Sequence, residues 1–138
     1  MHAGHIARGE LLVAEDRTLM AQEGSLTGGE LNAAVTSALM GIHTQHLGRG
    51  PRSASTFHHG HVLVTLMHGV LTAAEKSLIR SGHIDAARYI RQVLQETMAS
   101  DLRAAVERLT GRGVLAFISG NHADADVAAE LFILDARL

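Results

Sequence analysis

The sequence lacks cysteine and tryptophan, and its 138 residues include only one tyrosine, three phenylalanines and one proline. Without cysteine there is no disulfide scaffold, iron–sulfur cluster, thiolate zinc site or cysteine nucleophile. With so few aromatic side chains and a formal net charge of −2, the chain offers neither stacking platforms nor a basic surface for nucleic acid. We therefore expect no nucleic-acid partner.

Long hydrophobic runs are also missing. No apolar segment approaches the roughly 20 residues that span a bilayer, and the start of the chain lacks the basic-then-apolar order of a signal peptide. We expect a cytoplasmic protein that does not insert directly into a membrane. A length of 138 residues, 46% of them apolar, predicts one domain over residues 27–138, preceded by a tail or short helix over residues 1–26.

Apolar residues recur at helical spacing in three segments. Capping-box patterns at Thr27–Glu30 and Thr72–Glu75 predict the starts of the first two helices, which end near Leu47 and Arg80. The third helix is predicted over 83–110, with a core stripe of Ile90, Leu94, Met98, Leu102, Ala105 and Leu109. At about 40 Å it would overhang strands of about 23 Å, so its surplus apolar stripe predicts a homodimer.

Two hairpins complete the predicted fold. Residues 54–67 alternate around a turn at His59 and Gly60, which would place His58 opposite His61. Strands at 113–119 and 127–134 are joined by a polar loop over 120–126. The predicted fold class is α+β, a two-layer sandwich in which helices cover a four-stranded, mainly antiparallel sheet from two hairpins, in the order α-ββ-αα-ββ.

Histidines and acidic residues provide two candidate metal sites. His58 and His61 would share a zinc or nickel ion across the first hairpin, or remain solvated turn residues. In the second hairpin, His122, Asp124 and Asp126 alternate as potential ligands, although they equally fit a turn in which aspartate bonds nearby backbone. A possible divalent metal is thus the only cofactor that the residues suggest.

Arg49, Gly50 and Arg52 form the candidate anion site, because two guanidinium groups on flexible backbone suit a carboxylate, bicarbonate or phosphate. The alternative is a turn that fixes the exit from the first helix, whose C-terminal dipole repels anions. No serine elbow and no paired carboxylates on a buried face are recognisable, so no catalytic residue is predicted.

Several short motifs occur in an order that resembles the MpsC-like domain family. They are Gly48–Pro51 with the apolar hairpin after it, Gly69–Glu75, Leu109–Arg112 and Glu130–Leu134. The resemblance covers about residues 28–135 and implies an association with a sodium-translocating, membrane-potential-generating system linked to inorganic carbon uptake. It carries over no catalytic residue.

Two functions remain open at this stage. The first is a non-enzymatic accessory or regulatory protein, a homodimer that binds a partner such as a membrane transporter subunit, or a small anion. The second is a metal-binding module or metal-dependent enzyme that uses the loop of His122, Asp124 and Asp126 or the hairpin histidines.

Overall fold

The computed structural model describes residue 26 and residues 28–138. Its elements are α1 (Gly28–Leu47), β1 (Ser53–His59), β2 (Val62–His68), α2 (Ala73–Arg80), α3 (Ile84–Thr110), β3 (Val114–His122) and β4 (Val127–Leu134). This order confirms the predicted α-ββ-αα-ββ arrangement. Of the N-terminal tail or short helix predicted over residues 1–26, residues 1–25 lie outside the described residues, as does Thr27 of the first capping box.

The four strands form one sheet in the order β1-β2-β4-β3, and every neighbouring pair is antiparallel. The two inner strands, β2 and β4, come from different hairpins. β2 is apolar on both faces, which is the pattern of a strand inside a sheet, and it lies there. The predicted α+β sandwich is confirmed.

The helices cover one face of this sheet. α1 packs on β1 and α3, α3 also contacts β3, and α2 packs on α3. The core between the layers contains Leu31, Val35, Leu39, Leu63, Met67, Val70, Met98, Leu102, Ala105, Val106, Leu109, Val114, Ala128, Phe132 and Leu134. The Phe132 ring stacks on that of Phe117, with 4.9 Å between centroids.

Local sequence signals explain the helix ends. At the start of α2 the Thr72 hydroxyl accepts from the Glu75 amide, and the Glu75 carboxylate accepts from the Thr72 amide, so the predicted capping box is complete. α3 ends at Gly111, whose φ of 66° is the left-handed conformation that glycine adopts without strain.

The predicted register of the first hairpin is wrong. His58 pairs with Leu63, and His61 is a turn residue rather than the partner of His58. The turn consists of Gly60 and His61, with Gly60 at φ 61° in the first turn position. A two-residue hairpin places glycine there in its type II′ form, which moves the turn one residue along the chain.

Two further expectations need correction. β3 extends through Asn121 and His122, which pair with Ala128 and Val127, so the polar loop is shorter than predicted. In the N-terminal half of α3, Arg91 is buried and Ile90 is 37% exposed, the reverse of the predicted stripe. Arg91 faces inward because it has an ion-pair partner there.

Candidate functional site

The segment Gly69–Leu71, which leads from β2 into α2, is fastened by side chains from three other parts of the fold. Asp126 accepts hydrogen bonds from the amides of Val70 and Leu71 at 2.8 and 3.0 Å. Arg49 donates to the carbonyls of Leu71 and Gly69, both at 3.2 Å. Two of the motifs quoted above, Gly48–Pro51 and Gly69–Glu75, therefore meet at the segment Gly69–Leu71, here called the crossover.

A buried ion pair completes the crossover. Arg91 of α3 donates to both carboxylate oxygens of Glu75 at 2.6 and 2.9 Å and to the carbonyl of Val70 at 3.0 Å. Both side chains are at most 2% exposed. A bidentate guanidinium–carboxylate pair with its remaining atoms hydrogen-bonded is the form in which buried charge is tolerated. Its geometry locks α2 against α3.

These contacts bear on the candidate anion site. Arg49 and Arg52 are both exposed residues, but the Arg49 guanidinium is engaged with backbone carbonyls. This engagement supports the interpretation of Gly48–Arg52 as a fixed exit from α1. Anion binding by Arg49, Gly50 and Arg52 stays a prediction.

Arg49→Ala separates the two interpretations. Because the substitution leaves two carbonyls without their charged donor, we expect the free energy of unfolding to fall by about 1–2 kcal/mol. The exposed Arg52→Ala is the matched control and is expected to change it by no more than about 0.5 kcal/mol. Denaturant unfolding gives both values. Calorimetric titration with bicarbonate and phosphate tests binding: heat lost in both variants supports an anion site, and equal heat in Arg49→Ala removes Arg49 from it.

The second candidate metal site lies between β3 and β4. Asp126, at φ 51°, bonds the crossover backbone, and the His122 Nδ1 atom accepts from the Ala125 amide at 3.2 Å. The alternative interpretation, that these side chains organise a turn, is thereby favoured. In the described part of the chain, no three His, Asp or Glu side chains are grouped so that they could hold a metal ion.

In the first hairpin, His58 donates from Nδ1 to the amide oxygen of Asn32 on α1, at 2.8 Å. The shared ion proposed for His58 and His61 would require the two rings to face each other across the strands, and the observed register does not place them so. Metal binding by any of the predicted histidines and aspartates stays untested.

A row of polar side chains crosses the helix-facing side of the sheet, where sequence patterning alone had indicated a core. The register places Thr56, Thr65, Glu130 and Ser119 side by side on β1, β2, β4 and β3. The hydroxyls of Thr56 and Thr65 are 2.8 Å apart, and Thr36 of α1 is 2.7 Å from Thr56. The row thus begins as a hydrogen-bonded chain of hydroxyl groups.

Glu130 is the unusual member of this row. It is 1% exposed, and neither carboxylate oxygen has a hydrogen-bond partner among the described residues. Burial raises its pKa to about 7, and the nearby Ser119 hydroxyl and Arg91 guanidinium lower it only in part. At neutral pH, Glu130 is therefore divided between its protonated and ionised forms.

His43 of α1 faces this carboxyl. Its Nδ1–H donates to the Leu39 carbonyl at 2.9 Å, which leaves Nε2 with its lone pair 3.8 Å from Glu130 Oε1. Burial is the main reason that the pKa of His43 is lowered, with Arg91 and His46 adding repulsion. Both pKa shifts favour the uncharged forms, a neutral His43 beside a protonated Glu130.

A groove runs between α3 and β3 at the Ser119 end of the polar row. One part, of about 330 Å³, is lined by Arg88, Gln92, Gln95, Asn121, His122 and Asp124. An adjoining part, of about 240 Å³, reaches Ser119 and Phe117. The Gln95 amide nitrogen and the Ser119 hydroxyl are buried there without hydrogen-bond partners in the described chain. Two predicted metal ligands, His122 and Asp124, thus lie on the groove wall beside Arg88.

The other face of the sheet carries no Asp, Glu, Lys or Arg. The register arranges this face, here called the open face, in four rows: His59, Val62, Ile133 and Ala116; Phe57, Val64, Leu131 and Ile118; Ser55, Leu66, Ala129 and Gly120; Ser53, His68 and Val127. The last row ends at His122, whose side chain lines the groove instead. Phe57 and Ile118, at its edges, are 50% and 60% exposed. Exposed apolar surface that extends across all strands of a sheet is typical of an interaction surface.

The fold and these sites define a small α+β protein with a fixed charged crossover, a buried ionisable pair and an uncharged open face. Residues 27–136 match the family model described as Na+-translocating membrane potential-generating system (MpsC), and the chain belongs to this family. Comparisons with curated proteins and with solved structures gave no match. Within the described residues, none of the helices has the length and hydrophobicity required to cross a membrane.

Proposed function

We propose that this protein is a non-enzymatic accessory or regulatory component of a membrane cation transport system linked to inorganic carbon uptake, and that it acts by binding other proteins. The observation that carries the proposal is the open face, because a face without Asp, Glu, Lys or Arg gains free energy when a protein, a second copy of this chain included, covers it. The family description supplies the membrane system. In this proposal the protein works as a homodimer in the cytoplasm.

The chemistry of the buried sites is consistent with a binding role. The charged side chains of the crossover are engaged with each other and with backbone, so they serve to hold α2, α3 and the sheet together. The ionisable pair of His43 and Glu130 lies in the core and responds to pH through the stability of the fold. A partner would therefore bind the outer surface of the domain.

Capture from the native host tests this proposal. The protein is tagged at its native level, cross-linked in cells and purified from solubilised membranes, and the proteins recovered with it are identified by mass spectrometry. We expect a membrane cation-transport subunit that is absent when an unrelated tagged cytoplasmic protein is used. Recovery of this chain alone, with transport subunits detected in the extract but not in the eluate, would contradict the accessory role.

A further inference from the structure

The structure has two exposed apolar surfaces on which a second copy could pack. One is the open face of the sheet. The other is a short ridge on α3 formed by Tyr89, Ile90 and Val93, which are 69%, 37% and 41% exposed. The ridge lies on the long helix, and only its Ile90 belongs to the apolar stripe from which a dimer was predicted. It alternates with the polar side chains of Arg88 and Gln92, whereas the open face carries no Asp, Glu, Lys or Arg.

We propose that the open face is the homodimer interface, where a second copy of this chain packs sheet against sheet to give four layers, helices–sheet–sheet–helices. The inference deepens the proposed function, since it names the surface through which the proposed homodimer forms. It is argued from the shape, the charge and the size of the face.

The shape of the face is complementary to itself. Of its two central rows, one is bulky (Phe57, Val64, Leu131 and Ile118) and the neighbouring one is mostly small (Ser55, Leu66, Ala129 and Gly120). A two-fold axis that lies between the sheets, parallel to these rows and midway between them, places the bulky row of one copy over the small row of the other. Phe57 then lies over the partner's Ser55, Leu131 over the partner's Ala129, and Ile118 over the partner's Gly120. On β2 the same operation brings Val64 over the partner's Leu66, the one pair of two large side chains.

This arrangement follows the usual rules for sheet packing. Large side chains opposite small ones allow two faces to interdigitate at the roughly 10 Å spacing of stacked sheets. A two-fold pair uses the same patch on both copies, so complementarity within one face is the property that it requires. The single Gly120 is essential to the fit because any side chain there would meet Ile118 of the partner subunit.

Charge leads to the same conclusion. The chain has 12 basic and 14 acidic residues. Among Asp, Glu, Lys and Arg, only Glu130 lies within the four strands, and it points toward the helices. Its open-face neighbours, Ala129 and Leu131, are apolar. Two identical surfaces repel each other when they carry charge of one sign, and this face avoids that cost. Its only ionisable side chains are histidines in the two outer rows.

The size of the face can be compared with that of known interfaces. Four strands at about 4.8 Å spacing and four rows at about 6.6 Å spacing project to roughly 500 Å². A standard interface buries about 800 Å² of accessible surface per partner, a measure that follows the side-chain contours and therefore exceeds a flat projection.

The test is the mass of the full chain in solution, measured by light scattering and sedimentation equilibrium over a range of concentrations. Ile118→Lys and Phe57→Lys are single variants at exposed positions on edge strands. Because the proposed dimer is two-fold, each variant adds its charge to the interface twice, once from each copy. Tyr89→Lys is the matched control, because it makes the same kind of change at a site that is at least as exposed on α3. Circular dichroism melts establish that each variant is folded.

We expect the wild type and Tyr89→Lys to have twice the chain mass of 14.7 kDa. Both open-face variants should dissociate, with a dissociation constant raised at least tenfold. A wild-type chain that is monomeric at every concentration would overturn the proposal and assign the face to residues 1–25 or to another protein. Dissociation by Tyr89→Lys alone would also overturn it, in favour of the α3 ridge. In the proposed dimer the open face is covered, so a membrane partner would bind a surface that stays exposed, and the capture experiment tests for that partner separately.

Discussion

Arg91→Ala is expected to lower the free energy of unfolding by about 3–5 kcal/mol, the cost of leaving one member of a buried ion pair without its partner. Glu75 would lose the two hydrogen bonds of the guanidinium group at a site that water does not reach. Urea or guanidinium unfolding gives the value. The control is Arg88→Ala, almost one helical turn earlier. Arg88 and Asp85 form an exposed ion pair with 3.8 Å between their charged atoms, and such a pair contributes at most about 1 kcal/mol.

A second variant separates loss of charge balance from loss of packing. Glu75→Gln combined with Arg91→Met removes both charges, keeps a side chain that can cap Thr72, and fills most of the volume. We expect it to recover much of the stability lost in Arg91→Ala, since an uncharged pair of similar shape has no unpaired charge to bury. If Arg91→Ala unfolded as readily as Arg88→Ala, the crossover would not depend on this ion pair.

Glu130→Gln is expected to raise the free energy of unfolding at pH 8 by up to about 3 kcal/mol and to change it little at pH 5. The pKa of Glu130 is raised to about 7 from an ordinary value of 4.5. Because the pKa of Glu130 is raised in the folded state, the contribution of this group to stability is fully present when the pH is below its ordinary pKa. It is lost as pH rises through about 7, where folding must bury a carboxylate. Glutamine resembles the protonated form and does not ionise.

His43 gives the opposite dependence. Its pKa is lowered in the folded state, so its contribution to stability is present above its ordinary value of 6.5 and is lost as pH falls below it. Unfolding curves of the wild type and Glu130→Gln between pH 5 and 8 separate the two groups. We expect the variant to keep the loss at acidic pH and to lose the decline toward pH 8. Parallel pH profiles would contradict the assignment of that decline to Glu130.

The architecture could be predicted because the elements are marked locally. The Thr72–Glu75 capping box, Gly111 and the apolar alternation of β2 each specify an element without reference to the rest of the chain. β2 also indicates its own place in the sheet, since a strand that is apolar on both sides is stable only between two others.

The crossover and the buried pair could not be predicted in the same way, because they depend on contacts between distant residues. Arg91 and Glu75 are 16 residues apart, and an arginine on a helix is normally assigned to solvent. Glu130 did leave a signal, since strict alternation in β4 places it on the same side as Ala128 and Phe132. The first hairpin was misplaced by one residue because both His59–Gly60 and Gly60–His61 are acceptable turns until the backbone shows which position has positive φ.

The charge of the open face could also have been read from the sequence. Once the strands are known, alternation assigns every second residue to the face away from the helices, and none of these is Asp, Glu, Lys or Arg. The long helix gave the expectation of a homodimer from a different surface. Knowledge of the sheet order is what brings residues such as Phe57, Leu131 and Ile118 into one row and makes the face recognisable.

The absence of cysteine allows a direct measurement on this face, because one introduced thiol is the only one in the chain. Ile118→Cys and Tyr89→Cys are each reacted with a maleimide at increasing protein concentration. We expect labelling at position 118 to slow as the protein becomes more concentrated, while labelling at position 89 keeps its rate. Equal rates that do not depend on concentration, or slowing at position 89 alone, would contradict the claim that a second copy covers the open face.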